Sequence, residues 1–156
     1  MININIVCVG NLKEKFWKDA VAEYSKRLGS FAKLNIFEVK ESVYGSSAQQ
    51  IEIAKREEAE RLKKYAVGHT VALEIDGKSF DSEGLANHIS KLTTNGTSTI
   101  SFFIGGSYGL DKDFSDSLCE KLSFSSFTFP HQLMRVILLE QIYRTFTIIN
   151  GKTYHK

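Results

Sequence analysis

A chain of 156 residues, 42% hydrophobic and 24% charged, has the size and composition of one compact domain, able to bury roughly two-thirds of its unfolded surface. No apolar run approaches the ~20 residues that span a bilayer. A net charge of +2 is too weak for a monomer that grips nucleic acid without regard to sequence. The charge is uneven: residues 1–40 hold seven Lys/Arg against four Asp/Glu, residues 67–130 four against eight, and residues 131–156 four against one. A dimer that gathers the two basic ends would therefore bind nucleic acid better than a monomer. The opening MININIVCVGNLKEK places its apolar residues before its lysines, the reverse of a secretory signal. Cys8 and Cys119 have no metal-type partner spacing, so two reduced thiols in a cytoplasmic protein are expected.

NINIVCV (3–9) has the β-branched content of a buried strand, closed by Gly10 and Asn11. Over 13–28, Phe16, Ala20, Val21, Tyr24 and Leu28 recur at helical spacing, and Gly29 ends the run. LNIFEVK (34–40) reads as a second strand and 42–47 as a loop. Ser47 is a candidate N-cap for a charged helix to about Ala66. Its stripe of Ile51, Ala54, Leu62 and Tyr65 is narrow, and its interleaved acids and bases read as a solvated face. HTVALEI (69–75) reads as a third strand closed by an Asp76-Gly77 turn, and Asp81 or Ser82 caps a helix to about Leu92. STISFFI (98–104) reads as a fourth strand. A short helical turn follows, then an extended segment (121–129) into Pro130, and a helix from about Gln132 to Phe146. Strands alternating with helices predict an α/β fold: a mostly parallel sheet with helices on both faces, in a single domain over 1–156.

Such a sheet binds ligands at the C-terminal edge of its strands. The loop after the first strand lacks GxGxxG, which argues against an ordinary dinucleotide or flavodoxin-like phosphate site. The loop after the fourth strand, IGGSYGL (104–110), has Gly105, Gly106 and Gly109, suited to close ligand approach or to a tight turn. Phe124, Ser125, Ser126, Phe127, Thr128 and Phe129 alternate hydroxyls with aromatics. That pattern suits a dry adenine slot and also an ordinary strand with alternating faces. On the last helix, His131 and Arg135 share one face, and Glu140 and Arg144 lie about 180° round from them. The residues between are apolar nearly all round, as on a helix buried against core and subunit interface. A capping or core role for His131 fits the same position. No metal-ligand cluster is visible.

Taken together, IGGSYGL, LSFSSFTFPHQLMRVILLEQIYR (122–144), VCVGNLKEKFWKDAVAEYSKRL, LEIDGKSFDSEGLA and the terminal YHK resemble one family over the whole chain. It is the RlmH family of ribosomal RNA large-subunit pseudouridine methyltransferases, in the SPOUT superfamily. The resemblance implies a C-terminal deep trefoil knot, a homodimer built through that knotted region, and S-adenosyl-L-methionine as cofactor. Its binding residues would be Leu73, Gly105, Phe124, Ser125, Ser126, Phe127, Thr128 and Phe129. The implied reaction is methyl transfer to a ring nitrogen (N3) of a pseudouridine in 23S ribosomal RNA, on the assembled ribosome, with no metal and no membrane. An imide nitrogen becomes nucleophilic only as its proton leaves, and His131, Arg135, Tyr154 and His155 are the candidate catalytic residues. Arg135 or His155 is expected to contact the target base or its phosphate, and the tail to reach the partner's site. Thr145 and Thr153 stand where the family more often has alanine and proline. A transfer-RNA methyltransferase is disfavoured for want of an extra RNA-binding domain. A non-catalytic ribosome-binding or assembly factor that keeps the fold is the alternative.

Overall fold

A computed structural model describes residues 1–156. Five strands, β1 (Ile2–Val9), β2 (Ala32–Val39), β3 (His69–Ser79), β4 (Thr99–Ile104) and β5 (Glu120–Ser123), form one sheet in the order β2-β1-β4-β3-β5. Every pairing is parallel. The central strands are covered on both faces, which is why they read as nearly unbroken apolar runs. Ile4, Ile6 and Cys8 of β1 and Ile100, Phe102 and Ile104 of β4 point to one face. Val7 and Val9, with Phe103, point to the other.

The first face is covered by α1 (Lys15–Leu28), α3 (Ser82–Thr94) and α5 (His131–Ile149), with α5 packed against both of the others. Leu138, Leu139, Ile142 and Phe146 of α5 enter this core. Complete burial of one such leucine or isoleucine side chain stabilises the fold by about 1.5–3 kcal/mol. The second face is covered by α2 (Ala48–Lys63) and α4 (Lys112–Ser117) through Ala59, Leu62 and Phe114. Ser47 caps α2 in a full capping box with Gln50, and Asp81 rather than Ser82 caps α3 by accepting the Gly84 N–H at 2.6 Å.

Three local expectations change. The sheet has five strands, because the first residues of the segment expected to run extended from 121 to 129 pair with β3 as β5; Phe124 to Phe129 then leave the sheet as irregular chain. Asp76-Gly77 is not the end of β3. Both Leu73 and Lys78 pair with Leu122, so Glu74 to Gly77 bulge out and the strand resumes to Ser79. A Cβ on Gly77 would lie 2.7 Å from the Leu122 nitrogen, so the bulge can cross β5 only with glycine there. Finally, α5 begins at His131 and runs to Ile149, longer at both ends than its apolar pattern shows.

Candidate active site

At the C-terminal ends of β3 and β4 lies a cleft of about 840 Å³. Four segments line it: Leu73 to Asp76 from the β3 bulge, Ile104 to Gly109 from the glycine loop, residues from Leu122 to Pro130, and His131 with Met134 at the start of α5. Of the expected cofactor-binding residues, Leu73, Gly105, Phe124, Ser125, Phe127, Thr128 and Phe129 come together on its wall; Ser126 does not. The segment is shaped by its own hydroxyls. Ser125 Oγ accepts the Phe127 N–H at 3.0 Å, and Ser123 Oγ donates to the Ser125 carbonyl at 3.2 Å. Phe127 is left 78% exposed, a large apolar ring at the mouth of a cleft. No lysine or arginine lines the cleft, while Glu74 and Asp76 do.

The glycine loop closes on itself. The Gly109 N–H donates to the Gly106 carbonyl at 3.0 Å, and a Cβ on Gly105 would lie 2.4 Å from the Gly109 carbonyl carbon. Residue 105 must therefore be glycine for the loop to fold back this tightly. Behind the loop stands a group that the sequence pattern does not reveal. Glu58 is 2% exposed, accepts the Ser42 N–H at 3.0 Å and the Tyr44 hydroxyl, and its Oε1 lies 3.6 Å from where a Gly106 Cβ would stand. Burial raises its carboxyl above the usual range, and the hydrogen bonds from Tyr44 and Ser42 act against that rise. Burial also raises the Tyr44 hydroxyl, reinforced by Glu58. Ser107 donates to Glu41 at 3.2 Å, and the Tyr44 and Tyr108 rings pack at 4.7 Å. Helix α2 is thus not wholly a solvated charged face. The available signal was the spacing of Glu58 four residues from both Ala54 and Leu62, all buried.

His131 is the one expected catalytic residue that lines the cleft of its own chain. Burial holds its imidazole below its ordinary value, with Glu41 opposing the shift, so the ring is neutral near pH 7 and able to accept a proton. Arg135 departs from expectation. It sits one turn further along α5 and is only 2% exposed. Its Nη1 donates to Glu38 Oε2 at 2.6 Å and its Nη2 to the Gly10 carbonyl at 3.3 Å. The guanidinium has no free face for a base or phosphate; it ties α5 to β2 and to the turn after β1. Cys8 lies beside it, and burial pushes that thiol up to about 12, which keeps it protonated and inert.

Tyr154 and His155 lie elsewhere. Glu140 Oε1 accepts from Arg144 Nη2 at 2.6 Å and from the Tyr154 hydroxyl at 3.2 Å. Arg144 stacks over the Tyr154 ring at 4.7 Å and approaches His155 Nδ1 at 3.3 Å. His155 Nε2 lies 3.7 Å from Glu83 at the start of α3. Burial and then Glu140 raise the Tyr154 hydroxyl. The tail is docked along α5, away from the cleft of its own chain. Leu133, Ile137 and Ile148, on the same face of α5 as Glu140 and Arg144, are half-buried.

Residues 2–155 match the family model described as "Predicted SPOUT methyltransferase". A protein of Methanococcus maripaludis (strain C5) called "Putative ribosomal RNA large subunit methyltransferase H" is 51% identical over 159 residues, covering 99% of this chain and all of that one. Its counterpart of the same name in Methanococcus vannielii is 50% identical over the same spans. Among solved structures, "a probable methylase family protein from Haemophilus influenzae Rd KW20" superposes with a TM-score of 0.58 at 13% identity, over 99% of this chain and 71% of that one. That likeness extends to the fold alone; the family rests on the sequence matches. With a five-stranded parallel sheet and a glycine-loop cleft at its C-terminal edge, the chain belongs to the SPOUT methyltransferase family, and it is similar over its full length to these two relatives.

Proposed function

We propose that this protein methylates a ring nitrogen, N3, of a pseudouridine in large-subunit ribosomal RNA, using S-adenosyl-L-methionine and acting on the assembled ribosome as a cytoplasmic homodimer with a knotted C-terminal region. The observation that carries the reading is the cleft: an apolar, glycine-floored slot holding two carboxylates, no cationic side chain and one neutral imidazole. This lining fits a ligand with an adenine ring at one end and positive charge at the other. The volume lies in the usual range for a small-molecule site. When bound, S-adenosyl-L-methionine supplies a methyl group already activated on a sulfonium.

The chain's residues then have four tasks. Gly105 and the backbone of Phe124, Ser125 and Phe127 to Phe129 hold the adenosine edge. Glu74 and Asp76 offset the positive charge. Phe127, exposed at the mouth, excludes water as the target base docks. His131 takes the imide proton as the new nitrogen–carbon bond forms, so that negative charge never accumulates fully on the base. Arg135 acts indirectly, by fixing the first turn of α5 and hence the imidazole. The half-buried Leu133, Ile137 and Ile148 of α5 support pairing through that helix, which would bring the docked Tyr154 and His155 of one protomer to the cleft of the other.

Ribosomes from cells lacking the gene, incubated with the pure protein and tritiated S-adenosyl-L-methionine, should gain one label per large subunit, located by mass spectrometry at a pseudouridine. Absence of cofactor binding in calorimetry would instead favour the non-catalytic assembly factor. Label on free RNA but not on ribosomes would overturn the assembled-ribosome part.

A further inference from the structure

At the opposite edge of the sheet, three side chains from three elements converge. His69 is the first residue of β3, Glu120 the first of β5, and His88 lies on α3. Because the strands are parallel, this is the far end of the sheet from the cleft. His88 Nε2 lies 2.8 and 2.9 Å from the two oxygens of Glu120. His69 Nε2 lies 3.3 Å from Glu120 Oε1, yet that nitrogen is buried without a hydrogen-bond partner. All three donor atoms lie within 4.8 Å of one another. Phe80 stacks on the His88 ring at 5.1 Å and fixes its plane.

We propose that His69, His88 and Glu120 form a binding site for a divalent transition-metal cation of the zinc class, with water as the fourth ligand. Two imidazole nitrogens and one carboxylate are a borderline-soft donor set, which suits zinc better than magnesium or calcium. A tetrahedral zinc site places its ligand atoms roughly 3.3 Å apart, from bonds of about 2.0–2.1 Å. Glu120 is already at such distances from both rings, and only the two imidazoles must draw together. A single cation would satisfy all three donors at once, whereas one carboxylate hydrogen-bonded by His88 leaves His69 Nε2 unpaired. Side-chain exposures of 20%, 25% and 25% leave an open face for the water.

The site would clip α3 and the short edge strand β5 to β3. Strand β5 has only four residues and runs directly into Phe124, so the clip also anchors the segment that walls the cleft. Its role is structural, because it lies across the sheet from the reacting atoms.

Titration of chelator-treated protein with zinc chloride should show one ion bound per chain. The melting temperature should rise by roughly 5–10 °C at zinc a hundredfold above its Kd. His69→Gln, His88→Gln and Glu120→Gln should each weaken binding at least about tenfold. Cobalt(II) in the unaltered protein should give the intense visible bands of a tetrahedral site, a readout that does not depend on whether the variants fold. No stoichiometric binding, weak octahedral cobalt bands, or affinity unchanged in all three variants would overturn the proposal and leave a hydrogen-bonded His–Glu–His cluster.

Discussion

The two ends of α5 carry similar polar pairs and solve the problem of burying them in different ways. At the N-terminal end, Arg135 is 2% exposed and bonds to Glu38 and the Gly10 carbonyl, both distant in sequence, and its Nε has no partner. At the C-terminal end, Arg144 is 24% exposed and shares Glu140 with Tyr154. There every member has more than one neighbour and water can reach the group. A buried pair with one unsatisfied donor is sensitive to losing either partner. A half-exposed network is tolerant, since solvent replaces what is removed. The first end shapes the cleft and the second covers a surface, and substitutions should separate the two.

The largest effect is expected at His131. His131→Gln keeps a polar side chain of similar size but removes the proposed base, and methylation of ribosomes should slow about 10²–10⁴-fold. Affinity for S-adenosyl-L-methionine, measured by calorimetry, should change less than about fivefold. The pH profile gives a second reading. Burial places the folded-state pKa below the ordinary 6.5, so the wild-type rate should hold through neutral pH and fall on the acid side, at a pH below 6.5. Stability follows the same sign. As pH drops below the unfolded value, the unfolded chain takes the proton first, so folding weakens until the folded value is passed. The variant should lose both dependences. An unchanged rate would remove His131 from the chemistry.

Arg135→Met comes next. It keeps most of the volume but leaves Glu38 and the Gly10 carbonyl without their donor. Glu38 is 41% exposed and can turn to water, so the cost should fall short of that for a fully buried pair, at about 2–3 kcal/mol. The melting temperature should drop by roughly 4–12 °C. Cofactor affinity should be retained and the rate lowered modestly, through looser placement of His131. A rate loss as large as that of His131→Gln, with no loss of stability, would mean that Arg135 touches substrate after all.

This contrast bears on what the sequence could and could not reveal. Helical spacing places His131 and Arg135 on one stripe, and so they are. Spacing gives azimuth, however, not depth, and one turn of about 5.4 Å carries the second residue from the cleft rim to beneath the turn after β1. The strands β1 and β4 were readable because burial on both faces demands β-branched and aromatic runs. The bulge in β3 and the pairing of β5 were not, because both depend on Gly77 crossing a strand 45 residues away in sequence. Glu58 was hidden among the charges of α2, since only its place in the fold distinguishes it from its solvated neighbours. The glycine loop was legible because close backbone approach needs glycine wherever it occurs. His69, His88 and Glu120 have no spacing that would single them out; the sheet alone brings them together.

Removal of Tyr154 to Lys156 tests whether the tolerant end of α5 has a second role. Within one chain the tail contributes to a partly exposed network, so the truncated protein should lose no more than about 1 kcal/mol of stability. If the tail of one protomer completes the partner's site, ribosome methylation should fall about tenfold to a hundredfold while cofactor binding persists. Mixed dimers sharpen the test. Pairing a truncated chain with a His131→Gln chain puts both defects in one site or splits them, depending on whether the tail acts in cis or in trans. Because the only intact tail then belongs to the His131→Gln chain, activity in the mixed dimer requires action in trans, and an inactive mixed dimer would confine each tail to its own chain.

Glu140→Gln should have the smallest effect. The amide keeps an acceptor for Arg144 Nη2 and the Tyr154 hydroxyl but loses the charge that holds the Arg144 guanidinium and raises the Tyr154 hydroxyl. With Glu140 and Arg144 18% and 24% exposed, screening limits the loss to about 0.5–1 kcal/mol, or roughly 1–4 °C. Spectrophotometric titration should show the Tyr154 hydroxyl ionising at a lower pH than in the wild type, since one of the causes of its rise is gone. A destabilisation as large as that of Arg135→Met would show that both ends of α5 are buried to the same degree in solution, as they would be if the dimer interface covers Glu140. Repeating the melt over a range of protein concentrations separates these cases: a loss inside one chain is independent of concentration, whereas a loss at the interface grows with concentration until both proteins are fully dimeric.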